Sequence, residues 1–196
     1  MAIVNTSISP LIKNGSNITV SGSGQVTTIA ADFSTAINLT SGQIQFPATQ
    51  VPSSNANTLD DYEENTWTPS LVATSAVFSY ATNGRIASYT KIGRMVTIQF
   101  RIQLATSGNT LNANALTITG LPFSAGNETK RSFYGSVYWD NCATSMINII
   151  AEIKPNESSI NLYRLTAAAG SIANMVSNNL SGTAGSVLGG TITYFV

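Results

Sequence analysis

The residues best placed to do chemistry are four carboxylates within one short stretch: Asp60, Asp61, Glu63 and Glu64. Paired acids can hydrolyse a glycoside, one as acid and the other as nucleophile or base. Acid-rich loops can hold calcium through oxygen ligands. Acids on a turn can also serve structure, capping backbone N–H groups and pairing with arginines of a neighbouring subunit. The spacing does not follow the EF-hand calcium loop, and adjacent acids on one turn do not flank a substrate, so the structural role is the expectation. The chain has no histidine. That removes the commonest general base, the commonest metal ligand and the usual serine or cysteine triads. The single cysteine, Cys142, allows no internal disulfide and argues against zinc. No glycine-rich phosphate loop with its lysine is present. The expectation is a protein with no enzymatic activity, no catalytic residues, no metal and no cofactor.

A second candidate is aromatic. In a strand from Phe133 to Trp139, Phe133, Gly135, Val137 and Trp139 share one face, and Tyr134, Ser136 and Tyr138 the other. Tyr138, Trp139, Asp140 and Asn141 combine rings with an acid and an amide. Sugars are bound by such sets: an apolar sugar face stacks on a ring, and hydroxyls bond to the polar groups. The competing reading places these rings in the core. The polar loop Ser107 to Asn114 is an alternative site by position. Arg85, Lys91, Arg94 and Arg101 are expected to pair with the acidic stretch; the alternative is contact with an acidic sugar or a lipopolysaccharide phosphate.

The elements that position these groups are read from composition and periodicity. Charged residues make up 9% of the 196 residues and net charge is zero, against about 25% charged in a typical domain. A nucleic-acid partner needs a basic face, so none is expected. No apolar run approaches the length of a membrane helix, and no secretory signal is read at the start. With 43% apolar residues the chain should fold, with a surface of Ser, Thr, Asn, Gln and Gly, partly buried between subunits.

Composition shifts near residue 59. Residues 1–59 carry two charged residues, Lys13 and Asp32, and two aromatics, Phe33 and Phe46. Short β-like pieces lie there: Ile18 to Val20, Gln25 to Ala30, Ile37 to Thr40 and Gln43 to Phe46. Strands with so little core of their own need copies from several chains, the logic of a stem; the alternative is a mobile arm. Beyond Trp67 strands follow one another. From Met95 to Ala105, Val96, Ile98, Phe100, Ile102 and Leu104 alternate with polar or small residues. Further strands are expected over 76–81, 86–92, 115–119, 133–139, 147–153, 160–165 and 191–196, with Asn83-Gly84 among the turns. Thr58 to Glu63 has the pattern of a capped helical turn. Ile172, Met175, Val176 and Leu180 have helical spacing, in a segment whose Asn, Ser and flanking glycines leave a strand or loop open. The fold class expected is all-β: an extended N-terminal β-rich stem or arm over residues 1–59, then an antiparallel β-sandwich or jelly-roll knob over residues 60–196.

Three stretches resemble one family. Leu59-Asp60-Asp61-Tyr62-Glu63-Glu64-Asn65-Thr66-Trp67-Thr68-Pro69 resembles the junction motif of bacteriophage tail-fibre proteins. Tyr89-Thr90-Lys91-Ile92-Gly93-Arg94-Met95-Val96 resembles the strand pair that follows it there, and Ile118-Thr119-Gly120-Leu121-Pro122-Phe123 a later strand and turn. Upstream, Gln45-Phe46-Pro47-Ala48-Thr49-Gln50 is similar to a segment before the junction. Asn65 stands where glycine is common. The resemblance implies a structural virion protein assembled in the host cytoplasm. It would be a short homotrimeric fibre attached to the tail or baseplate, presenting its knob to a host surface polysaccharide. Asp60, Asp61, Tyr62, Glu63, Glu64 and Trp67 would then belong to the junction between subunits and segments. The alternative is a capsid head fibre or decoration protein without a receptor.

Overall fold

In the computed structural model the described residues are 44, 46–49, 51, 53, 55, 58–127, 131–166, 170 and 172–196. The β-like pieces expected between residues 18 and 43 lie outside them. The chain divides into two units, Met1–Ile44 and Gln45–Val196; the second is described here.

Ten strands follow in chain order: β1 Tyr62–Thr66, β2 Ser70–Val72, β3 Tyr80–Ile92, β4 Met95–Leu104, β5 Thr117–Thr119, β6 Phe133–Asp140, β7 Asn148–Ile153, β8 Ser159–Leu165, β9 Ala173–Asn174 and β10 Val187–Phe195. One 3-10 turn, Ser177–Asn179, is present, and no α-helix occurs among the described residues. All pairings are antiparallel, in the order β1-β3-β4-β10-β6-β7-β8-β5-β2, with β9 on β8.

The sheet curls over itself, and β6 makes the corner. Its C-terminal half, Val137 to Asp140, pairs with β10, and its N-terminal half, Phe133 to Ser136, pairs with β7. A strand that changes partner half-way is how two packed layers share one continuous sheet. Gly135 sits at this corner: a Cβ there would lie 2.6 Å from both Ile192 Cγ1 and the Thr191 carbonyl, so no larger residue fits. The opposite side is closed by the chain itself. β1 edges the first layer and β2 the second, and Trp67 to Pro69 carries the backbone across.

The core fills from inward-facing alternate residues. On β4, Val96, Ile98, Phe100, Ile102 and Leu104 are all buried, as the alternation predicts. Facing them lie Ile149, Ala151 and Ile153 of β7 and Ile160 and Leu162 of β8. At about 25 cal/mol per Å² of apolar area, such residues supply the main folding drive.

Two expectations change, and the choice left open over 172–180 falls to strand and loop. Thr58 to Glu63 is not a helical turn, because Tyr62–Thr66 pairs with β3 from Tyr62↔Ile92 to Thr66↔Ser88 and the backbone extends to make that ladder. Asn83-Gly84 is not a turn between strands. It is a bulge inside β3, with Asn83 at φ 55 and a register shift between Tyr80 and Arg85. The segment 172–180 is not an α-helix. It forms β9, two isolated bridges and the 3-10 turn, because Val176 bonds across to Ala115 and Leu180 to Cys142.

Candidate functional site

The acidic stretch becomes an internal clamp. Asp61, just before β1, and Glu63 within it lie on one face, and Glu64 on the other. Asp61 is buried and paired with the buried Lys91 of β3 in this same chain. The Lys91 ammonium lies 5.5 Å from the centre of the Phe123 ring. The Tyr89 ring meets that ring edge-on at 5.4 Å, and its hydroxyl donates to Glu63. Burial first, then the hydrogen bond to Glu63 and its charge, push the Tyr89 pKa up to about 12, so the hydroxyl is a donor and not a base. Glu64 accepts from Tyr62 at 2.9 Å, and Asp60 from the Ser53 amide at 2.9 Å. Trp67 is buried, with its indole N–H 3.3 Å from the Ser88 carbonyl and its ring edge on Phe100. Gly120 has φ +94, and a Cβ there would lie 2.6 Å from the Thr68 carbonyl. The three sequence stretches singled out above therefore meet in space: Asp61 to Thr68 on one side, Tyr89 and Lys91 in the middle, Gly120 and Phe123 on the other. Among the described residues no group of three metal-ligating side chains gathers.

The aromatic candidates separate. Tyr138 points outwards from β6 and is 64% exposed. Trp139 turns to the inner side and packs against the core. Asp140 and Asn141 end the strand, bonded to each other, with Asn141 at φ 53. Trp139, Asp140 and Asn141 line a depression of about 370 Å³ with Cys142, Thr144 and Met146. Burial, the largest influence, pushes the Cys142 thiol up to about 11, which makes it a poor nucleophile at neutral pH. The polar loop 107–114 spends its amides on this chain. Asn109 bonds to the Ala105 and Gly182 carbonyls, and Asn112 and Asn114 both bond to Thr74.

Tyr138 lies instead on a trough of about 720 Å³ across the outer face of β4, β10 and β6. Its outward-facing lining is Gln99 and Arg101 from β4, Val187, Gly189 and Thr191 from β10, and Ser136 and Tyr138 from β6. Of the four basic residues, Arg101 alone lines this trough; its guanidinium donates to Gln103 at 2.9 Å. Arg85 lies over the Tyr80 ring and bonds to Ser70, and Arg94 bonds to the Val196 carbonyl.

Sequence reasoning missed one cluster. Glu152 of β7 accepts from Tyr134 of β6 at 3.1 Å and from Tyr163 of β8 at 2.7 Å. Burial acts to raise the Glu152 pKa, but hydrogen bonds from Tyr163, Ser132 and Tyr134 and the Lys154 charge together hold it below the usual value. The hydrogen bond to Glu152, then burial, push the Tyr163 hydroxyl up to about 12. Only strand register brings these three residues together, so no local signal marks them.

Compared with described protein families and with curated proteins, the chain matches none. Among solved structures it is similar to the crystal structure of the Dettilon tailspike protein. The TM-score is 0.53 at 19% identity, over 67% of this chain and 23% of that one. The likeness is one of fold, and the chain spans under a quarter of that protein's length.

Proposed function

We propose that this chain is a receptor-binding structural protein of a phage tail. In this reading it is a short homotrimeric fibre that attaches through residues 1–59 and presents residues 60–196 to a host surface glycan. The observation that carries the reading is the likeness of the curled antiparallel fold to part of a phage tailspike protein. Two features support it. Leu59, Tyr62, Ile92 and Met95 are exposed apolar residues, and Tyr62, Ile92 and Met95 neighbour one another in register, a surface suited to burial between subunits. The trough beside Tyr138 combines an exposed ring with hydroxyl and amide groups, the chemistry of sugar recognition. The protein binds and does not cleave in this reading: Asp61 is held by Lys91, and Glu63 and Glu64 are each bonded to a tyrosine.

The test is light scattering followed by adsorption of labelled protein to host cells. A mass near three times 20.6 kDa and saturable adsorption are expected. A monomer would remove the fibre reading. A trimer that ignores cells would move the protein to a capsid-decorating role. Sustained release of reducing ends from host polysaccharide would make it an enzyme.

A further inference from the structure

The trough on the outer face of β4, β10 and β6 owes its form to one missing side chain. Gly189 faces outwards on β10, directly opposite Arg101 of β4 on one side and Tyr138 of β6 on the other. Outward neighbours along β10 are Val187 and Thr191, about 6.6 Å away each at 3.3 Å per residue. A side chain at Gly189 would close the space between guanidinium and ring.

The fold does not demand glycine at this position. A Cβ on Gly189 would meet only the Phe100 carbonyl, at an ordinary 3.4 Å, and its φ lies outside the left-handed region. Gly190 next to it differs: a Cβ there would lie 3.0 Å from the Ser136 carbonyl and 3.1 Å from the Phe100 ring. Gly190 thus serves packing. Gly189 in a strand interior costs stability for no packing return, and what it provides is open space at the centre of the trough.

The lining of that space sets its chemistry. Arg101 carries the only charge among the residues that line it. Arg101 makes no ion pair with the described residues, and no carboxylate lines the trough. Its fork of five N–H donors makes one bond to the neutral Gln103 amide, leaving donors for an anion. Tyr138 offers an exposed ring, and Gln99, Ser136 and Thr191 offer an amide and two hydroxyls. The volume of about 720 Å³ falls within the range of small-ligand sites, about 300–1,000 Å³.

We infer that this trough seats an acidic saccharide, with a sugar ring over Gly189 against Tyr138 and its carboxylate or phosphate on Arg101. The inference rests on the receptor-binding reading and gives it a ligand class and a place.

Calorimetric titration of the full chain tests it with three probes: trigalacturonate, glucose 6-phosphate and neutral maltotriose. At least one anionic probe is expected to bind at least tenfold more tightly than maltotriose, with an affinity that falls as salt rises. The tighter anion assigns the group as carboxylate or phosphate. Arg101→Gln is expected to abolish the preference. Gly189→Thr is expected to weaken binding at least tenfold while the protein melts at the same or a higher temperature, because threonine suits a strand. Unchanged binding by Gly189→Thr, or equal affinity for maltotriose, overturns the inference. So does protein that adsorbs to host cells yet binds none of the probes, and in that case the receptor reading survives. Protein that binds neither probes nor cells sinks both.

Discussion

Lys91 and Asp61 set the residue scale, because both are buried and each compensates the other. An isolated buried charge keeps its desolvation penalty without its partner's attraction. Lys91→Met is therefore expected to cost about 3–5 kcal/mol, read from urea unfolding, by leaving Asp61 unpaired. Adding Asp61→Leu should recover most of that loss, since the charge needing a partner is then gone. A double variant no better than the single one would show that the pair itself holds β1 to β3. The tyrosines set a second expectation. Tyr89 and Tyr163 lie near 12, against 10.0 for a free tyrosine. An unfolded chain releases these protons first as pH rises through 10, so the folded state binds more protons between 10 and about 12. Stability is accordingly full below pH 10 and falls across that window. Urea midpoints through the window should decline in the wild type and decline less steeply in Tyr89→Phe, the slope being the readout. A Tyr89→Phe slope equal to that of the wild type would place the titration elsewhere.

At the scale of elements, β4 is the strand on which the layer of β1, β3, β4 and β10 is built, and its inward face is fully committed. Ile98 has no exposed surface, so Ile98→Asp puts an unpaired charge into the core. The expected loss is more than about 4 kcal/mol, enough to unfold an ordinary domain. Soluble Ile98→Asp protein melting near the wild-type temperature would show the facing to be wrong. β4 was legible in the sequence because ten residues alternate without interruption and each inner position is apolar. β1 was not. Its acids resemble a helix cap, and only the ladder to β3 makes Tyr62–Thr66 extend. β3 was cut short by Asn83-Gly84, which reads as a hairpin turn but forms a bulge. β10 was expected only from Thr191, but pairing on both sides holds Gly189 and Gly190 in the sheet as well. The site followed the same rule. Tyr138 could be placed on the outer face by counting along β6. That Gly189 lies beside it, and Arg101 beyond, is a matter of register between residues 51 and 88 apart in the chain.

For the whole molecule, the decisive property is where the core begins. Every buried apolar residue among those described lies at Trp67 or beyond. A chain starting at Asp60 keeps all of them, and it keeps the Asp61–Lys91 pair. Removal of residues 1–59 is therefore expected to leave the curled sheet folded, with cooperative melting and a β-type circular dichroism spectrum. In the proposed fibre the same cut removes the stem that holds three chains together, so light scattering should drop from about three chains to one. The contacts left at Tyr62, Ile92 and Met95 are apolar and few, too small a surface to replace a stable interface of some 1,600 Å². Salt separates this from charge-driven association. With charges at 9% of residues and net charge zero, the full-length assembly should survive about 1 M salt, where the screening length is about 3 Å. An assembly that dissolves in salt would be held by ion pairs instead of apolar contacts. A truncated chain that keeps its full assembly mass would move the interface onto the curled sheet, and the proposed stem role of residues 1–59 would fall.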